Sequence, residues 1–188
     1  LEYLNSAIEK EPDWAPLSSS VVLVLLDIQQ RGLEPTSITF PNIYTNLNKA
    51  LELDPDLFYA HNLGAMIAYL MEWDWERSEK EFLKALAINP SDAGSRIFYA
   101  HLLCILQRYD EALPQAQLAL ELEPLNPNMK LWASFVLMAV GDFKSALELG
   151  EEVAAADPNY YMAYAVIENA AFYCRDYNKV MEASKHLL

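Results

Sequence analysis

The chain has 188 residues, about the length of one domain or one elongated array, and 53% of them are hydrophobic, so it is no disordered tail. It carries 13 Lys and Arg against 27 Asp and Glu, a net charge of −14. A chain this acidic repels a phosphate backbone and offers no basic cluster to an anionic membrane, which argues against nucleic acid or a lipid surface as the partner of this segment.

In chain order, a helical pattern is already under way at Leu1-Glu-Tyr-Leu-Asn5 and closes at Ser6-Ala-Ile-Glu-Lys-Glu-Pro12. The longest apolar run follows, Val21–Leu26, extended weakly to Leu17 and Ile28 and interrupted by Ser18, Ser19, Ser20 and Asp27. It falls well short of the roughly 20 apolar residues that a membrane-spanning helix needs. No basic-then-apolar leader opens the chain. A helix is expected over 18–31, then a long connection, Arg31-Gly-Leu-Glu-Pro-Thr-Ser-Ile-Thr-Phe-Pro41, then a helix over 41–53. The remaining pairs are expected at 57–71 with 75–88, 93–106 with 110–122, 127–140 with 143–156, and 161–174 with 177–188.

These boundaries rest on an internal period. Pro55, Pro90, Pro124 and Pro158 are spaced 35, 34 and 34 apart. Each ends the same phrase: Lys49-Ala-Leu-Glu-Leu-Asp-Pro55, Lys84-Ala-Leu-Ala-Ile-Asn-Pro90, Leu118-Ala-Leu-Glu-Leu-Glu-Pro124 and Glu152-Val-Ala-Ala-Ala-Asp-Pro158. From Pro12 to Pro55 is 43 residues, so that unit carries extra chain. Phe82, Ala85, Leu86 and Ile88 share one helical face ahead of their proline, which cannot continue the helix. Gly141 suits a helix C-cap, and Asp142 or Asp110 can accept from the free N–H groups of the next helix. Small residues hold fixed phases: Ala7, Ala50, Ala85 and Ala119 before the prolines, Ser78, Ala112 and Ala146 in first turns, and Ala65, Ala100 and Ser134 midway along first helices. They let paired helices approach closely.

At these residues the chain resembles a tetratricopeptide repeat (TPR) array. The resemblance implies an all-α fold, a right-handed superhelix of antiparallel helix pairs in about five units, the first partial and the second degenerate. The units would be 1–11 (a second helix only), 12–55 (degenerate), 56–90, 91–124, 125–158 and 159–188, in one array over 1–188. Glu168 departs from the small residue expected at its position. The segment Glu72-Trp-Asp-Trp-Glu-Arg-Ser-Glu-Lys-Glu-Phe82 adds one residue to its unit. With Glu123-Pro-Leu-Asn126 and Glu9-Lys-Glu-Pro-Asp-Trp-Ala-Pro16, it is similar to the TPR region of bacterial multidomain signalling proteins, such as winged-helix regulators of the CadC type or cyclase- and kinase-linked arrays. That implies a cytoplasmic site, or a periplasmic one for a CadC-type regulator. The chain ends within a helical pattern at Ala183-Ser-Lys-His-Leu-Leu188, so an effector domain is expected outside this segment.

No catalytic constellation emerges, and the expectation is a non-enzyme with no cofactor and no metal. His101 and Cys104 lie three apart on one helix face, but no second ligand pair joins them. Cys104 and Cys174 form no short-spaced pair, and no glycine-rich loop is present for a nucleotide. What remains is surface. In a TPR array the first helix of each unit lines the concave groove, and by phase the lining would include Met66, Ile97, Cys104, Asn128, Leu131, Met138, Met162 and Phe172. Tyr59, Asn62, Tyr69, His101, Phe135 and Asn169 are singled out as ligand contacts, because aromatic rings give large contact area and Asn grips a peptide backbone. Arg96 and Lys130 are phased away from the groove centre. The reading is a protein-interaction module for a peptide or partner domain, with a small-molecule sensor or a self-association module as alternatives. Trp73 and Trp75 fit either packing or binding.

Overall fold

A computed structural model describes residues 2–187; Leu1 and Leu188, the outermost positions of the expected first and last helices, lie outside the described residues. The chain divides into two compact units, Leu1–Pro90 and Ser91–Leu188, at a boundary that falls on a repeat proline.

The first unit holds α1 (Glu2–Lys10), α2 (Ala15–Gln30), α3 (Thr36–Leu53), α4 (Phe58–Ile67) and α5 (Trp75–Ile88). Helices α2 and α3 form one hairpin and α4 and α5 another, with α4 laid against both members of the preceding pair. Val22, Leu25, Ile43, Leu47, Ala60, Leu63 and Ile67 make the core between them.

Two expectations are corrected here. The long connection is short: α3 begins at Thr36, not at residue 41, and Pro41 sits inside it. The extra residues of the degenerate unit therefore lengthen a helix instead of a loop. Pro41 has no N–H to give the ladder, but it lies near the helix start and is exposed, and Thr39, buried beside it, donates to Gln29 of α2. The second correction concerns the one-residue insertion. Regular α-helix ends at Ile67, and Ala68–Glu72 continue as a π-turn, the form that absorbs one extra residue without breaking the helix.

The second unit holds α6 (Ala93–Ile105), α7 (Tyr109–Leu122), α8 (Pro127–Ala139), α9 (Phe143–Ala156), α10 (Tyr161–Tyr173) and α11 (Tyr177–Ser184). Again the helices form hairpins (α6 with α7, α8 with α9, α10 with α11), and each of the first two receives the first helix of the next. Leu131, Val153, Ala163 and Val166 form one core cluster, and Ala146, Leu147, Ile167, Ala170 and Ala171 another.

The small residues sit at these contacts. Ala50, Ala65, Ala85, Ala100, Ala112, Ala119, Ala146, Ser78 and Ser134 are all 0% exposed, whereas Ala7 is only half-buried. Ser78 also donates to the Ala65 carbonyl across α4 and α5 at 3.0 Å, so the small residue pins the hairpin as well as fitting it. At the expected departure, Glu168 accepts from Ser184 of α11, a polar tie in place of a small contact.

Each hairpin turn in the second unit passes through one residue with left-handed φ: Gln107 (59°), Gly141 (86°) and Arg175 (61°). The residue that follows closes the turn, Arg108 N–H to Leu103 O, Asp142 to Leu137 and Asp176 to Ala171, at 2.8–2.9 Å, the Schellman arrangement. Asp142 and Asp176 then cap the following helix through the N–H groups of Ser145 and Lys179. Asp110 does not: the N-cap of α7 is Arg108, which gives no side-chain cap, and Asp110 lies in the first turn, where its charge favours the helix dipole.

Candidate functional site

The six contact residues are divided between the two units. In the first, Tyr59 is half-buried and packs on the core. Tyr69 is half-buried at the π-turn, edge-on to Trp75 at 6.0 Å. Asn62 is 6% exposed. Its repeat position is filled by Ile97 and Leu131 in the next two pairs, at 0% and 4% exposure, so all three are core and not an open wall. Buried at this phase, Asn62 does not offer the open contact expected of it.

In the second unit the structure brings His101 and Phe135 together and adds two rings that the sequence reading passed over. His101 meets Trp132 edge-on at 4.9 Å and Phe135 at 6.1 Å; Trp132 meets Phe135 at 5.7 Å and Phe98 at 5.1 Å. The cluster bridges α6 and α8, and all four rings are partly exposed. The overlooked signal was available: Phe98 and Trp132 are 34 residues apart, as are His101 and Phe135, so both pairs repeat one turn from each other on neighbouring helices. Asn169, at the next copy of the His101 position, is exposed on α10 and donates to the Ala165 carbonyl at 2.8 Å.

His101 gives the cluster its polar function. Its Nε2 lies 2.9 Å from the Trp132 carbonyl, which can only accept, so Nε2 carries the proton. Burial holds the imidazole below its ordinary pKa, against the smaller opposing pull of that carbonyl. A neutral ring with Nε2–H occupied presents Nδ1 as an acceptor. Arg96 and Lys130 are directed to the second helices: Arg96 donates to Gln115 at 2.6 Å and Lys130 pairs with Glu152 at 2.6 Å.

A further polar knot lies in the first unit. His61, buried on α4, has Nδ1 at 2.6 Å from Glu81 of α5 and Nε2 at 2.8 Å from the Pro55 carbonyl. Burial opposes ionisation of Glu81, but the bond from His61 and the charge of Lys84 outweigh it and hold the carboxyl below its usual range. This ties the repeat proline's turn to the second helix of the hairpin. Among the described residues no group of three or more His, Cys, Asp or Glu gathers to hold a metal ion. No described helix is long and apolar enough to cross a membrane.

No protein-family model matches the sequence, and no curated protein matches it. Solved structures do match in fold. Pseudomonas aeruginosa PilF is similar over 90% of this chain and 74% of its own, with 22% identity and a TM-score of 0.71. YrrB, a TPR protein with an unusual peptide-binding site, is similar over 97% of this chain and 89% of its own, at 20% identity and TM-score 0.62. Human IFIT1, as a dimer with PPP-AAAA, is similar over 98% of this chain but 44% of its own, at 19% identity and TM-score 0.79. At these identities the likeness is one of fold: the chain is an all-helical, TPR-like solenoid of antiparallel helix pairs.

Proposed function

We propose that this chain is a protein–protein interaction module that holds a peptide or partner domain against the first helices of its pairs. The observation that carries this reading is the partly exposed Phe98–His101–Trp132–Phe135 cluster bridging α6 and α8. Exposed aromatic rings are what binding hot spots are built from, and the neutral His101 supplies an acceptor for a peptide N–H. The peptide-binding site of YrrB, a protein of like fold, supports the same reading. The resemblance carried by the Trp-Asp-Trp segment supports a sensor, regulatory or scaffold place in a bacterial signalling protein, in the cytoplasm or, for a CadC-type regulator, in the periplasm. Asn169, on α10 of the same unit, is a secondary contact in this scheme.

The test is selection of peptides from a displayed library on the purified chain, followed by affinity measurement on Phe135→Ala. The variant should weaken binding of the selected peptides by roughly 1–3 kcal/mol, the usual hot-spot range, with helical circular dichroism intact. Peptides that bind the variant as well as the parent chain would remove the cluster from the binding site.

A further inference from the structure

The π-turn of the first unit presents an aromatic surface that the fold itself does not require. Three turns of the second unit take Gln107, Gly141 and Arg175 at the left-handed position; the equivalent residue here is Trp73, with φ 59°. Gly or a polar side chain thus satisfies this turn, and an indole in left-handed backbone is a costly choice. Nor is the indole buried: Trp73 is 71% exposed, with Leu70 nearby in sequence at 41%. Its ring meets Trp75 edge-on at 5.6 Å, and Trp75 meets Tyr69 at 6.0 Å, so the exposed ring is held by a short aromatic ladder and not left free.

The electrostatic setting selects the partner. The rings alternate with carboxylates in Glu72-Trp-Asp-Trp-Glu76, and residues 1–90 carry 14 Asp and Glu against 6 Lys and Arg. Two of the three local carboxylates are engaged. Glu72 accepts from Tyr44, at 2.6 Å, and from Arg77, which neutralises that arginine. Asp74 caps α5 through the Arg77 N–H at 3.0 Å. Glu76 is exposed at the first turn of α5, next to Trp75. An indole face flanked by negative charge is the standard receptor for an ammonium or guanidinium group.

We propose that Trp73, braced by Trp75 and Tyr69, is a docking surface for a Lys or Arg side chain of a basic peptide segment on a partner protein. The site is independent of the α6–α8 cluster, and either can fail without the other.

Trp73→Gly is the decisive variant, because the turn accepts Gly without strain. Binding is read by fluorescence anisotropy of a dye-labelled decapeptide of alternating Lys and Ala, against the same peptide with each Lys replaced by norleucine. The parent chain should prefer the Lys peptide, and Trp73→Gly should weaken it by about three- to five-fold while thermal stability is unchanged or raised. Leu125→Ala, at a side chain 90% exposed and outside both sites, should bind it like the parent. Equal binding of the two peptides would show an apolar patch with no cation preference and would overturn the proposal. So would a Trp73→Gly variant that binds like the parent, which would reduce the effect to net charge, or no binding of the Lys peptide at millimolar concentration.

Discussion

Gly150 offers the sharpest test of how tightly the second unit is packed. It lies inside α9, where Ala would ordinarily be preferred by about 1 kcal/mol of helix propensity. A Cβ built there would stand 3.0 Å from Val166 Cγ1 and 3.1 Å from Ile167 Cγ1, both on α10. Those neighbours are poorly placed to yield: Val166 is 0% exposed, Ile167 8%, and both are β-branched residues in a helix, where one χ1 rotamer dominates. Overpacking of this kind costs roughly 1–3 kcal/mol, so Gly150→Ala should be net destabilising by about 1 kcal/mol despite the better helix former. The explanation has a second consequence. Val166→Ala alone leaves a cavity and should cost roughly 1–3 kcal/mol. In that background one of the two close contacts is gone while Ile167 Cγ1 still stands at 3.1 Å, so Gly150→Ala should become clearly less costly than in the parent. Urea midpoints of the parent, the two single variants and the double variant complete the cycle, with a coupling of at least about 1 kcal/mol expected. A Gly150→Ala midpoint above the parent's, or additive effects in the double variant, would refute the close α9–α10 approach.

Ala85→Leu and Ala119→Leu, both at fully buried hairpin contacts, should each lower the urea midpoint by an amount corresponding to roughly 1–3 kcal/mol. Gln107→Gly and Arg175→Gly, which relieve left-handed backbone, should each raise stability by about 1 kcal/mol, and Gly141→Ala should lower it comparably by the same thermal-melt assay. His101 is held below its ordinary pKa by burial, so the unfolded chain takes up that proton more readily than the folded one. Its contribution is therefore present above the ordinary value near 6.5 and is lost as pH falls below it. The melting temperature of the parent should drop between pH 7 and pH 5 by more than that of His101→Gln, which keeps a donor for the Trp132 carbonyl.

The sequence alone determined the architecture, because its cues are local and repeated. A proline every 34 or 35 residues ends a helix wherever it falls, and small residues at fixed phase mark where helices touch, so hairpin positions from residue 57 onward were legible to within a few residues. The αL turn at Gly141 and the cap at Asp142 were legible for the same reason. What tertiary structure decided was how irregularities are absorbed. The residues before Pro41 became helix because Thr39 is buried against α2, and the inserted residue near Trp73 became a π-turn because both ends of that hairpin were already fixed by packing. The candidate site divides along the same line. Phase brought His101 and Phe135 together, but a period of 34 says only that residues share a side, not how far they rotate into the seam. That rotation buried Asn62, as it did Ile97 and Leu131 at the same repeat position, and left Trp132 and Phe98 in the open cluster; it follows from the contacts between neighbouring helices, which no single segment of sequence contains.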